Sequence, residues 1–307
     1  MVAPSVEVRH RTVEANGIQF HVAESGQIGS PQVLLLHGIP EGSESWGPVM
    51  NRLPGLHLFA PDLRAYPGTE RPEGSPRRLG AYDPLTLSDD IKALIEALGL
   101  DRPMLVAHDI GGGMAWIFAH RYSEMIRKLV IVNCTHTRTL ARAIVRCQDL
   151  QTFRVPWLPV FQLPWLPENL LTTKPGLRFM RWCVVVREAR KGAINRPLVD
   201  TLIARFKTPY DLAGPINWYR GIFVSFVSPR RFRALYNVYK TPITAPVTMV
   251  WGMHDGALPA KIAERSGADA GCEIDWRPLD GVGHFVTLEA PDRLAEEIER
   301  ALSTAPE

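Results

Sequence analysis

Two short runs near the start of the chain, "SVEVRHRTVE" and "IQFHVAE", exchange polar and apolar positions residue by residue, which is the period of a half-buried strand. They meet at Asn16-Gly17, a pair that accepts the left-handed backbone of a two-residue hairpin turn, so an antiparallel edge is predicted. Beyond it the pattern changes. Uninterrupted apolar runs, "QVLLLHG", "LHLFAPD", "PMLVAHD" and "IRKLVIVN", alternate with helical spacing over 45–53, 85–98 and 110–122. Strands covered on both faces read this way, so the fold class predicted is α/β, a mostly parallel sheet flanked by helices.

After Asn133 the strand pattern stops and returns only at "APVTMVWG". Between them lie Arg-rich helical segments and the proline-dense "VPWLPVFQLPWLPE". "CEIDWRPL" and a helix over 291–302 complete the layer. The expected organisation is a core made of residues 1–133 and 244–307, with a helical lid inserted at 134–243. In sheets of this kind ligands bind at the carboxyl ends of the strands.

Composition adds limits. With 307 residues, 46% hydrophobic and 22% charged, the chain can bury one large core and carry an inserted subdomain. The opening "MVAPSVEVRHRTVEANG" is charged and no apolar run follows, so neither signal peptide nor membrane span is expected, and a cytoplasmic location is. Cys134, Cys147, Cys183 and Cys272 lack metal-ligand spacing and read as packing residues. The net charge of +3 conceals an asymmetry: residues 134–243 hold 18 Lys and Arg against 5 Asp and Glu, or +13, and the remainder holds 17 against 27, or −10. A lid so charged would steer an anionic substrate or meet a membrane surface, or simply present a solvated face. No basic run interleaves with stacking aromatics, so nucleic acid is not an expected partner.

The chemistry concentrates in four segments. In "VAHDIGG" small residues around Asp109 allow a sharp strand-to-helix turn that lifts its carboxylate above the sheet and leaves the N–H of Ile110 free as an oxyanion donor. "LLLHGIPEG" brings the N–H of Ile39 to the same strand ends. "MVWGMHDGALP" places Asp255 past a late strand, and "DGVGHFVTLEAP" places His284 in a glycine-flanked loop. Alone, Asp109 reads equally as a helix cap. The order nucleophile, acid, base, however, is that of the α/β-hydrolase fold.

These motifs, with "HGIP", "APDLRAYPGTERP", "GPINWYR" and "GVGH", resemble the epoxide hydrolase branch of the α/β-hydrolase superfamily. The resemblance implies a cis peptide at Ile39-Pro40. It also implies that Asp109 attacks a saturated carbon to give an alkyl-enzyme ester, which water activated by His284 and Asp255 then hydrolyses. Tyr219 in "NWYR" becomes the lid proton donor, and Ile39 and Ile110 form the oxyanion hole. Trp157, His37, Pro40, His108 and Trp218 are assigned to substrate binding, while Trp165 and Trp182 read as core or pocket wall. Four lid tryptophans suggest an apolar or aromatic epoxide, with water as cosubstrate, no cofactor and no metal; a homodimer is compatible with the sequence.

Two departures from the family pattern stand out. No tyrosine occurs between Tyr122 and Tyr210, so Trp157 occupies the place of a second lid tyrosine, and an indole N–H donates a hydrogen bond without releasing its proton. Ala65 and Pro67 stand where glycine is usual. A haloalkane or haloacid dehalogenase, with Trp157 holding halide, shares the triad. Against it, Ile39 and Ile110 stand where the haloalkane branch carries Asn and Trp, and no arginine follows the nucleophile closely. A non-catalytic ligand-binding module is the third alternative.

Overall fold

The computed structural model describes residues 7–72, 79–187 and 194–305. Strands β1 (Val8–Ala15) and β2 (Ile18–Ser25) pair antiparallel, with Ala15 opposite Ile18 across the turn, where Asn16 and Gly17 both have positive φ. Ser5 and Val6 of the first alternating run lie outside the described residues. The apolar runs become β3 (Gln32–Leu36), β4 (His57–Pro61), β5 (Met104–His108), β6 (Lys128–Val132), β7 (Val247–Gly252) and β8 (Ile274–Leu279). All eight join one sheet in the order β1-β2-β4-β3-β5-β6-β7-β8, antiparallel from β1 to β4 and parallel beyond.

Strand period decides the two halves of the core. Leu34, Leu36, Leu105 and Ala107 pack on one face, while Val33, Leu35, Met104 and Val106 pack on the other. The helix Asp109–Tyr122 is buried from Ile110 to His120, so it has almost no solvent side. The helix Pro84–Ala97 is capped by Asp83, and Pro291–Ser303 covers the second face. The helix expected over 45–53 is instead a 3-10 turn, Ser43–Trp46, followed by the single turn Gly47–Met50.

From β6 to β7 the described residues form helices and no strand. The longest, Pro209–Val227, starts in a capping box between Thr208 and Asp211. Phe161, Met180, Val199, Leu202, Phe206 and Ile216 form a core of their own here, which Phe285 and Leu288 join. Trp165 and Trp182 correct the expectation: they are 65% and 47% exposed, Trp165 at the left-handed cap before the helix Leu166–Leu171 and Trp182 at the end of the helix Lys174–Trp182, which turns Met180 to that core instead. Among the described residues no helix is long and apolar enough to cross a membrane.

In this sheet β3 lies between β4 and β5, so the chain leaves its carboxyl end in opposite directions on the two sides. That reversal opens a crevice at the ends of β3 and β5. Gly38 and Asp109 face each other there.

Candidate active site

β5 stops at His108 and the helix begins at Asp109, whose φ of 48° lies in the left-handed region. Only a tight turn demands that backbone of a residue other than glycine, and Asp is among those that tolerate it best. The turn exposes the carboxylate. Its Oδ1 accepts the Ile39 N–H at 3.2 Å, its Oδ2 lies 3.2 Å from His284 Nε2, and the Ile110 amide adds a further donor. Burial alone would raise the Asp109 pKa, but His284, His108 and the Ile110 amide hold it below the usual carboxylate range.

His284 sits in the loop after β8, with Nδ1 2.7 Å from Asp255 Oδ2. Asp255 has no spare lone pair: Oδ1 accepts the amides of Ala257 and Leu258, each at 2.8 Å, and Oδ2 also accepts Asn133 Nδ2 at 2.7 Å. Asn133, itself at φ 42°, accepts the Gly252 N–H as well, tying the end of β6 to the end of β7. Burial would depress the His284 pKa; Asp255 and Asp109 outweigh it and hold the imidazole well above its ordinary value. Both ring nitrogens face carboxylates, Nδ1 towards Asp255 and Nε2 towards Asp109, and both carboxylates favour the protonated ring.

Across from this trio stands the helix Pro209–Val227, carrying Tyr219 partly buried, its ring edge-on to Phe161 at 5.2 Å. Burial pushes its phenol pKa well up, and the charge of Asp109 pushes it further, so the hydroxyl keeps its proton. Trp157, at the start of the helix Trp157–Phe161, packs on both the sheet core and the core among the helices. Ile39 and Pro40, joined by a cis peptide, are partly exposed beside Asp109.

Three residues expected to touch substrate are placed behind the site. His37 is fully buried, its Nδ1 2.8 Å from Gly38 O and its Nε2 accepting the Leu63 N–H at 3.0 Å. His108, also fully buried, reaches Glu41 with Nδ1 at 2.6 Å and the His284 carbonyl with Nε2 at 2.9 Å. Trp218 donates its indole N–H to Arg64 O at 3.0 Å. Each uses its polar atoms on the frame and has none left for a ligand.

Sequence reading missed Glu41, whose carboxylate accepts the Gly38 N–H and the Thr287 hydroxyl, each at 2.8 Å, besides bonding His108. It thus links the β3 loop, the end of β5 and the His284 loop. The signal was a carboxylate directly after "HGIP", next to the loop that carries Ile39. Tyr66 was missed as well. Its ring stands edge-on to His37 and Trp218, and its hydroxyl is buried without a hydrogen-bond partner. Among the described residues no three His, Cys, Asp or Glu side chains converge as metal ligands would.

This constellation has relatives. Residues 31–291 match the family described as alpha/beta hydrolase fold. Over 289 residues the chain is 30% identical to epoxide hydrolase 4 of Homo sapiens, covering 91% of this chain and 74% of that protein. Over 286 residues it is 31% identical to epoxide hydrolase 3 of Xenopus tropicalis, covering 91% and 73%. The crystal structure of an epoxide hydrolase from Vigna radiata superposes with a TM-score of 0.80 over 97% of this chain and 98% of that one, at 26% identity. By its sheet order, its matched motifs and these relatives, the chain belongs to the epoxide hydrolase branch of the α/β-hydrolase superfamily.

Proposed function

We propose that this protein opens an epoxide to a vicinal diol through a covalent ester on Asp109. The observation that carries the proposal is the double hold on one carboxylate: Oδ1 on the Ile39 amide, Oδ2 beside His284. Oδ1 is already in the oxyanion position, so Oδ2 is the nucleophile. It attacks an epoxide carbon, the C–O bond breaks, and Tyr219 gives its proton to the departing oxygen, leaving a hydroxyalkyl ester.

Ester formation removes the negative charge of Asp109. One of the two carboxylates that hold the His284 proton is then gone, so the imidazole becomes able to lose that proton and act as base. Water, deprotonated at Nε2, attacks the Asp109 carbonyl carbon. The tetrahedral oxyanion rests on the Ile39 and Ile110 amides; on its collapse the bond from the Asp109 carboxyl carbon to the alkyl oxygen breaks, that oxygen takes the proton of the added hydroxyl, and the diol leaves with the carboxylate restored. Asp255 orients His284 and balances its charge throughout, and the proton that the imidazolium gives up before it acts as base goes to the Tyr219 phenolate. Phe161 stands edge-on to the Tyr219 ring and Trp157 packs on the same helical core, an apolar setting that suits an apolar or aromatic epoxide.

The test is turnover of styrene oxide, a trans-disubstituted aryl epoxide, a bromoalkane and fluoroacetate by wild type and by Tyr219→Phe. Diol formation that falls on the order of 100-fold or more in the variant supports the reading. Halide release that survives the substitution would assign the site to dehalogenation, with Trp157 holding halide.

A further inference from the structure

The two tryptophans found outside the core belong to a larger pattern. Among the described residues, every large hydrophobic side chain that is exposed lies between Val145 and Tyr236, apart from Ile28 and Met253. Six of them fall in one short stretch: Leu163, Trp165, Leu166, Leu170, Phe179 and Trp182. The helices Leu166–Leu171 and Lys174–Trp182 cross closely here, since a β-carbon on Gly176 would stand 2.0 Å from the Leu170 carbonyl oxygen. Phe179 and Trp182 stack in the open with ring centroids 6.1 Å apart, while Met180, between them in sequence, turns inward. Lys174 and Arg178 share the outer face with them.

The exposed cations beside this patch, Lys174 and Arg178, belong to a stretch of chain that is basic as a whole. Residues 134–243 carry 18 basic side chains against 5 acidic ones. The described carboxylates among them are already engaged: Asp149 by Lys261, Glu168 by Arg220, Asp200 by Arg181, and Asp211 in its helix cap. A two-fold contact between two such faces would bring Lys174 and Arg178 of one copy against those of the other, which opposes self-association through this surface. Interfacial aromatics among lysines and arginines match an anionic lipid surface, into which rings settle while cations meet headgroups.

We infer that the outer face of the helices 166–182 docks on the surface of a bilayer containing anionic lipid, without crossing it. Apolar compounds concentrate in such bilayers, so docking would bring the protein to its substrate; that corollary alone rests on the epoxide reading.

The experiment is flotation of the full chain with vesicles of phosphatidylcholine alone and of phosphatidylcholine mixed with phosphatidylglycerol. The protein is expected to float with the mixed vesicles, to be released by high salt, and to bind neutral vesicles weakly. Trp165→Ser/Phe179→Ser/Trp182→Ser and, separately, Lys174→Glu/Arg178→Glu are each expected to weaken partition about tenfold or more. Both variants should keep the wild-type circular dichroism and turnover of a water-miscible substrate, since none of these residues touches the site. Absence of flotation, or flotation that both variants preserve, would overturn the inference. So would a dimer in analytical ultracentrifugation that the apolar variant dissociates, which would assign the face to a second copy. Partition is read on the protein, so failure of the epoxide reading would leave the result unchanged.

Discussion

Gly38 lies so close to Asp109 that a β-carbon on it would stand 2.5 Å from the Asp109 Cβ and 2.8 Å from Oδ1. The loop after β3 and the turn after β5 thus fit together only where one of them lacks a side chain. Gly38→Ala is expected to displace the carboxylate from the Ile39 amide. A misplacement of about 1 Å costs on the order of 100-fold in rate, and overpacking adds about 1–3 kcal/mol of destabilisation. Steady-state turnover and a urea melt check the two effects separately.

On the proposed covalent route, His284→Gln removes the base and leaves Asp109 able to attack. The ester is expected to accumulate, and intact mass should rise by the mass of one substrate molecule after incubation with a substrate the wild type turns over. An unchanged mass would count against the covalent route.

The pH behaviour of His284 follows from its two carboxylates. Burial works to lower its pKa, but Asp255 and Asp109 raise it well above the ordinary value. This raised pKa contributes stability that is fully present below the unfolded value, about 6.5, and is lost as pH rises through the folded value. Asp109→Asn removes one anion, so the imidazole should titrate at lower pH than in wild type, which NMR of the ring protons would read directly. In wild type the ester-hydrolysis step should slow as pH falls through the His284 pKa of the intermediate, where the ring is protonated and cannot act as base.

Glu41 and His108 form a buried pair at 2.6 Å beneath the site. Burial opposes both charges, and each partner's attraction overcomes it, lowering the pKa of Glu41 and raising that of His108. Glu41→Ala leaves the cation and the Gly38 amide without their acceptor. Breaking such a pair costs about 3–5 kcal/mol, to be measured by denaturant unfolding. Turnover should fall with it, because His108 also holds the His284 backbone.

Tyr66→Phe should act in the opposite direction on stability. A buried hydroxyl without a partner costs about 1–3 kcal/mol, so its removal is expected to raise the melting temperature. A lower melting temperature would mean that the hydroxyl is bonded after all.

The sequence alone determined the kind of each strand and that Asp109, Asp255 and His284 fall just past strand ends. Alternation marked β1 and β2, Asn16-Gly17 marked their turn, and continuous apolar runs marked the parallel strands, since backbone period and turn chemistry are local properties. The spacing of Asp109, Asp255 and His284 relative to strand ends was local too. What surrounds them was not. "LHG" and "AHD" present His37 and His108 in the same way as any residue past a strand end, and nothing nearby says that each spends its ring nitrogens on the frame. Glu41 and His108 are 67 residues apart, and their pairing exists only once β3 and β5 lie side by side. The tryptophans show the same limit. Helical spacing puts Trp182 on some face and the prolines around Trp165 put it in a turn, but only the packing of neighbouring helices decides what is covered, and it leaves both exposed.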